Sequence, residues 1–120
     1  MIQKSQQLGF KIILTTDHGT INVKNPSKVI GDKNTSLNLR YKTGRSLTYE
    51  QKDVLEAKEP KSIHLPTINM SSSFIFAKGD LFFAYPNNYN HYVSYFRNTY
   101  QHGGVSLEEV IIPFIVLNPR

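Results

Sequence analysis

The sequence has no cysteine and no long hydrophobic run. Without cysteine the chain can form neither a disulfide scaffold nor a thiolate zinc site. No apolar stretch approaches the roughly 18 residues of a membrane span, and the N-terminal MIQKSQQLGF lacks the apolar core of a signal peptide. These absences exclude a membrane span and predict a soluble, cytoplasmic protein.

The composition is that of an ordinary globular domain. Hydrophobic residues make up 39% and charged residues 19% of the 120 residues, which excludes disorder and allows one domain with a modest core. Lys and Arg outnumber Asp and Glu by 14 to 9, for a net charge of +5. This excess raises the local concentration of anions such as phosphate esters and nucleic acid. A solvated basic surface explains the charge equally well.

The pattern along the chain predicts an α/β domain. IQKSQQLGF is typical of a helix closed by Gly9, and FKIILTT is typical of a buried parallel strand. Because a helix end leading into a central strand is the middle of an α/β unit, we expect a truncated piece of a longer domain. Residues 20–65 predict an irregular excursion with one or two short strands.

The remaining elements are predicted from helix boundaries, turn residues and apolar spacing. They are a short helix over residues 48–58 ended by Pro60, a loop at Ser71–Ser73, a β-hairpin over residues 73–85 around Lys78-Gly79-Asp80, helical spacing of aromatic residues over residues 90–100, a helix over residues 106–110, and a final strand, IIPFIVL.

The sharpest chemical signal is Thr16-Asp17-His18-Gly19, at the C-terminal end of the FKIILT strand. In open α/β sheets, ligands bind beyond the carboxyl ends of the strands. Neighbouring side chains within a strand point to opposite faces, but a turn at the strand exit lets Asp17 and His18 converge on one ion, and Gly19 permits that turn. A carboxylate beside an imidazole suits a divalent metal, with zinc the leading candidate. The alternative is a polar turn that caps backbone groups.

A second signal is His102-Gly103-Gly104, directly before a helix start. Ser106 and Glu109 have the spacing of a capping box, which places the helix start at Ser106. The two glycines leave the approach to this helix uncluttered, and a helix N-terminus favours an anion. His102 is therefore placed to project into the crevice beyond the strand ends. The alternative is a glycine turn with an exposed histidine.

Together, TTDHG after an apolar strand, HGG-x-S-x-E-E at a helix start and the IIPFIVL strand resemble the PglZ domain of the alkaline phosphatase superfamily. The resemblance covers essentially the whole chain, including the tyrosine-rich NYNHYVSYFRNTYQHGG. It implies an α/β fold in which residues 1–120 form the C-terminal part of an alkaline-phosphatase-like domain, with a mostly parallel central sheet and an irregular β-containing insertion. It also implies a phosphoesterase or phosphodiesterase that serves as the effector of a two-component response regulator of type IX secretion.

Carried over residue by residue, the resemblance implies that Asp17 and His18 bind one zinc ion of a two-metal site and that His102 binds the neighbouring ion. The superfamily's nucleophile and other ligands precede the Asp-His motif, and no position of this sequence matches them. Three ligands hold two ions poorly, so we expect the isolated chain to contain no catalytic residue and to be inert. The parent is expected to cleave a phosphate ester or an oligonucleotide.

Two further expectations concern partners. Uncovered apolar surface on a chain that starts at a central strand favours self-association, for example as a homodimer. A function of another class is also open, in which the domain is a non-catalytic regulatory or scaffolding module that acts by binding a partner.

Other polar and aromatic groups are open to two interpretations. His64 and His91 fit polar surface positions better than a functional role. The aromatic stripe from Tyr85 to Tyr100 could stack nucleobases, although a core-facing helix is favoured. Three basic residues could clamp a phosphate, although a solvated strand is favoured; they are Arg40, Lys42 and Arg45.

Overall fold

The structure, a computed structural model, describes residues 1–67 and 72–120 of the chain. The α-helices in this part are α1 (Ile2–Gln7), α2 (Tyr89–Phe96) and α3 (Leu107–Val110). The strands are β1 (Ile12–Thr15), β2 (Ile21–Val23), β3 (Asn25–Lys28), β4 (Tyr41–Gly44), β5 (Val54–Ala57), β6 (Ser73–Ala77), β7 (Leu81–Ala84), β8 (Thr99–Gln101) and β9 (Phe114–Leu117). None of the described helices has the length and apolar character needed to cross a membrane.

Within the described residues the strands form four small sheets. β1 pairs with β9, β2 with β8 and β3 with β7, while β6 lies between β4 and β5. The β3–β7 pair is parallel, and the other pairs are antiparallel. The mixture of helices and strands is therefore confirmed, but the expected mostly parallel central sheet is not.

The helix and strand at the start of the chain are in place, but the strand's surroundings differ from the prediction. Gly9 adopts φ +84° just beyond α1, as a closing glycine does, and β1 follows. β1 pairs antiparallel with β9, and Ile13, Leu14 and Thr15 are exposed. The prediction of a buried parallel strand is wrong for the described chain, because β1 has one antiparallel neighbour and most of its side chains face solvent.

The exposed apolar residues of β1 and β9 predict self-association. Ile13, Phe114 and Val116 lie on one face of this strand pair and are 45–67% exposed, and a contiguous apolar surface marks an association or aggregation site. We expect sedimentation to show species larger than a monomer and Phe114→Lys to shift the distribution toward monomer. Leu55→Lys, at an exposed residue of β5, is the matched control and should not shift it. A compact monomer of the unmodified chain would contradict this prediction.

The core lies around β6 and β7, whose side chains are buried on both faces. Phe82 and Phe83 are neighbours in β7, and they enter two different clusters because successive strand residues point to opposite faces. β6 divides its residues in the same way, which explains the continuous apolar runs. The clusters are Val29, Val54, Ile75, Ala77 and Phe83; Ile21, Val23 and Phe82; and Ala57, Phe74 and Phe76.

β6 and β7 flank the predicted turn at Lys78-Gly79-Asp80, but they do not pair with each other. The Ala77 N–H donates to the Arg40 carbonyl oxygen, and the Phe83 N–H donates to the Leu39 carbonyl oxygen, each at 2.8 Å. The segment before β4 therefore takes positions that a hairpin partner would use. The hairpin prediction is wrong, because an apolar pattern identifies strands without identifying their partners.

The helix predicted over residues 48–58 does not form. A 3-10 turn occupies Gln51–Asp53, and β5 follows, with Val54 and Ala57 buried against the core. Pairing with the second edge of β6 overrides the local helix propensity. Pro60 begins another 3-10 turn instead of ending a helix.

Other predicted elements are confirmed in part. The excursion over residues 20–65 holds four strands, β2 to β5, instead of one or two. The helical spacing from residue 90 corresponds to α2, but its last residues belong to β8. The helix after Ser106 and the final strand are present as α3 and β9. Of the predicted serine loop, Ser71 lies outside the described residues, and Ser73 begins β6.

Candidate functional site

The Asp-His turn and the His-Gly-Gly turn, far apart in the sequence, meet in the structure. The imidazole rings of His18 and His102 stack, with centroids 3.7 Å apart and planes 10° apart. Asp17 Oδ1 lies 3.6 Å from His18 Nε2. The structure therefore brings Asp17, His18 and His102 together at one place.

The turn after β1 also determines which nitrogen of His18 is free. His18 Nδ1 lies 2.8 Å from the Gly19 carbonyl oxygen. Because a carbonyl oxygen only accepts, Nδ1 is the donor, and in the neutral imidazole Nε2 keeps its lone pair. Thr16 Oγ1 donates to the His18 carbonyl oxygen at 2.9 Å, which holds the turn in shape. Histidines that bind metals are oriented in this way, with one ring N–H donated to a backbone carbonyl.

Asp17 and His18 are placed to bind one metal ion together, whereas the imidazole of His102 is placed to bind a different ion. The 3.6 Å between Asp17 Oδ1 and His18 Nε2 exceeds a hydrogen bond. It suits two ligands of one zinc ion, whose bonds are each about 2.0–2.2 Å. The lone pair of an imidazole lies in its ring plane, so the nearly parallel planes of His18 and His102 do not aim both nitrogens at one ion. Among the residues that the structure describes, no three His, Cys, Asp or Glu side chains form a single metal-holding group.

A buried ion pair holds the turn behind His102. Arg40 Nε and Nη2 donate to the two carboxylate oxygens of Glu109 at 2.8 and 2.9 Å, and the two side chains are 0% and 1% exposed. The same carboxylate accepts the backbone N–H of Gly104 at 2.9 Å and that of Ser106 at 3.2 Å. The Glu109 half of the predicted capping box is thus present, while the Ser106 hydroxyl has no hydrogen-bond partner among the described residues, and the glycine turn wraps around the Glu109 carboxylate.

The same first turn of α3 also contacts the Asp-His turn. The Gly19 N–H donates to the Glu109 carbonyl oxygen at 2.9 Å. A Cβ on Gly19 would lie 2.0 Å from the Glu108 carbonyl oxygen, and a Cβ on Gly104 would lie 2.6 Å from Glu109 Oε2. Only glycine allows these two approaches. Glu109 therefore ties both histidine-bearing turns together, one through its backbone and the other through its carboxylate.

The surroundings of Glu109 favour its ionised form. Burial alone would raise the pKa of this carboxyl group, but hydrogen bonds from Arg40, Ser106 and Gly104 and the charge of Arg40 outweigh that effect. The pKa of Glu109 lies below its usual value of 4.5. The carboxylate is therefore charged at neutral pH, and the pair with Arg40 is intact there.

The prediction of a solvated basic strand is wrong for two of its three residues. Arg40 and Lys42 are buried, and the carboxylate of Glu109 occupies two of the Arg40 nitrogens. Arg40 is therefore not available as a phosphate clamp, and Arg45 alone is exposed. The capping-box spacing had singled out Glu109, but its partner is 69 positions away, and no local pattern links the two.

The aromatic stripe is also different from the favoured prediction. Tyr92, Tyr95 and Tyr100 are exposed, whereas Val93 is buried and Phe96 packs against the cluster of β2 and β7. In this stripe Val93 and Phe96 face the core, whereas the three tyrosines face solvent.

The two remaining histidines lie at the surface, as predicted. His64 and His91 are both exposed. His64 follows the second 3-10 turn with φ +60°, and the His91 ring contacts Tyr92 and Tyr95 on α2. Neither is among the donors that meet at His18.

The fold and the site define a mixed helix–strand domain in which an Asp-His turn and a His-Gly-Gly turn are held together by one short helix. The family model of the BREX system PglZ alkaline phosphatase-like domain matches residues 1–117. The chain therefore belongs to the PglZ alkaline phosphatase-like family, whose fold is of the phosphoesterase type. No curated protein matches the sequence.

Proposed function

We propose that the chain contributes part of a zinc-dependent phosphoesterase or phosphodiesterase site. In this proposal Asp17 and His18 bind one ion, and His102 binds a neighbouring one. The observation that supports it most strongly is the stacking of His18 and His102 at 3.7 Å with Asp17 beside them. These residues belong to the two motifs that carry the resemblance to the family, and membership of the family supports the reaction class.

Bound zinc would supply positive charge that stabilises phosphoryl oxygens and activates the attacking oxygen. The residues of this chain orient the donors. The Gly19 carbonyl holds the tautomer of His18, and Glu109 keeps the two histidine-bearing turns in register. The net charge of +5 favours the approach of an anionic substrate, a phosphate ester or an oligonucleotide.

The domain is proposed to act within a response regulator, and a scaffolding function is the second candidate. The two motifs and the tyrosine-rich segment resemble PorX, a response regulator of the type IX secretion system, so the domain would be the effector of such a regulator. The exposed apolar surface of β1 and β9 favours a second candidate, a scaffolding module that acts by binding a partner.

Replacing His18 by Ala should weaken zinc binding by more than about 100-fold, because the loss of a supporting partner alone already costs about 10–100-fold. The matched control is His91→Ala, since His91 is an exposed histidine of α2 outside the site. The zinc affinity of the intact protein is measured by competition with a chelator, and melting temperatures verify that both variants fold.

Hydrolysis of a model phosphodiester by the intact protein then separates the two candidate functions. If the His18→Ala variant keeps its zinc and the parental rate, the ligand assignment fails. If the unmodified protein does not hydrolyse the diester but loses a partner on the same substitution, the scaffolding function takes its place.

A further inference from the structure

One buried ammonium group forms no ion pair among the described residues. Lys42 is 1% exposed, and its Nζ donates to the Ser36 carbonyl oxygen at 2.8 Å. Nζ also lies 4.8 Å from the centroid of the Tyr85 ring, within reach of a cation–π contact. An ammonium has three N–H donors. The carbonyl oxygen and the ring face account for two of them, which leaves one for a further acceptor.

Because the ammonium group of Lys42 has no counter-charge among the described residues, its position favours the binding of an anion. Burial lowers the pKa of Lys42 from 10.5 to about 8, so the amine is still mostly protonated at neutral pH. Burying a charge without an opposite charge is costly, and an anion placed against it relieves that cost. The ion pairs of the described residues involve other groups and do not include Lys42.

Lys42 lines a cavity of about 420 Å³ whose walls suit a flat ring. Asn38 and Gln101 are uncharged polar residues of the wall. Pockets with mainly apolar walls and a few polar groups are typical of small-molecule sites. The aromatic residues of the wall are Phe83, Tyr85, Tyr92 and Phe96.

We propose that this cavity binds a small aromatic carboxylate, with the carboxylate on Lys42 Nζ and the ring against Tyr85, Tyr92 and Phe96. A single free N–H on a single cation matches a singly charged carboxylate better than a doubly charged phosphate, which would stay largely unneutralised. The aromatic walls favour a planar ring, since stacked and edge-on ring pairs add to the effect of burial. The site needs neither zinc nor hydrolysis and is independent of the proposed function.

Benzoate, benzamide and cyclohexanecarboxylate are matched probes of charge and of the ring. In the unmodified protein, benzoate should bind at least about tenfold more tightly than benzamide, because a charge-assisted hydrogen bond is stronger than a neutral one. It should also bind more tightly than cyclohexanecarboxylate. The ring resonances of Tyr85, Tyr92 and Phe96 should shift on titration, and that of Tyr100, outside the cavity, should not.

Lys42→Met leaves an unbranched apolar side chain, shorter by one atom, and removes the charge, so it should bring the ratio of benzoate to benzamide affinity close to one. Lys52→Met, at an exposed lysine outside the cavity, should keep the ratio of the unmodified protein. Equal affinities of the unmodified protein for the two probes overturn the proposal. A preference that survives Lys42→Met overturns it as well. The benzoate-to-benzamide ratio of the unmodified protein requires no variant, so it tests the proposal even if Lys42→Met does not fold.

Discussion

Glu109→Gln is expected to lower the free energy of unfolding by about 3–5 kcal/mol, the usual cost of leaving one member of a buried ion pair without its partner. The carboxylate accepts from Arg40, Gly104 and Ser106, and an amide of the same shape can replace only one of its two oxygens. The amide nitrogen would face donors, and the buried guanidinium would lose its counter-charge.

Glu108→Gln is the matched control, because Glu108 is the neighbouring glutamate of α3 and is exposed. Its effect should stay within about 0.5 kcal/mol, as is usual for surface substitutions. Urea unfolding of both variants measures the difference. Equal effects of the two substitutions would contradict the assigned role of Glu109.

The pH dependence of stability is a second readout of the same substitution. Because the pKa of Glu109 is lower in the folded chain, the unfolded chain binds more protons in the acid range. The stabilisation is complete above the unfolded value near 4.5 and is lost as the pH falls through the lower folded value. The free energy of unfolding should fall in this window for the unmodified chain and for Glu108→Gln, and less steeply for Glu109→Gln.

Gly19→Ala is expected to destabilise the chain by about 1–3 kcal/mol or more, the usual range for overpacking. The added Cβ would lie 2.0 Å from the Glu108 carbonyl oxygen, a backbone atom that cannot rotate away. The shift would also disturb the hydrogen bond from Gly19 to Glu109 and move His18 off His102. Zinc affinity should therefore fall by about 10–100-fold, as for other groups that orient ligands.

Gly79→Ala separates this clash from the general cost of replacing a glycine. Gly79 has φ +50°, and nothing lies within 4 Å of an added Cβ. Left-handed backbone at a non-glycine residue costs about 1–2 kcal/mol, so stability should fall while zinc affinity is unchanged. Thermal unfolding and chelator competition measure the two effects. If Gly19→Ala also left zinc affinity unchanged, the role of α3 in aligning the two turns would be wrong.

Features that depend on neighbouring residues could be predicted from the sequence. The closure of α1 at Gly9 and the capping box of Ser106 and Glu109 each involve residues a few positions apart. The strands β1, β6, β7 and β9 are short apolar runs, and such runs are recognisable without knowledge of their partners. The motifs around Asp17 and His102 are also local, and the family resemblance implied that they would lie together, as the stacked rings of His18 and His102 do.

The partners of these elements were decided only by the tertiary structure. An apolar run identifies a strand but specifies neither its burial nor its partners, as the exposed strands β1 and β9 show. Pairing energy depends on which edges are free, so β6 and β7 joined different sheets and residues 54–57 became a strand. The same holds for charge. The sequence predicts Arg40 and Lys42 as solvated cations, but both are buried. The energy of a charge depends on burial and on distant partners such as Glu109, and a local pattern shows neither. Local chemistry thus determined the turns and caps of this protein, and the packing of distant segments determined its sheets, its buried ion pair and the cavity at Lys42.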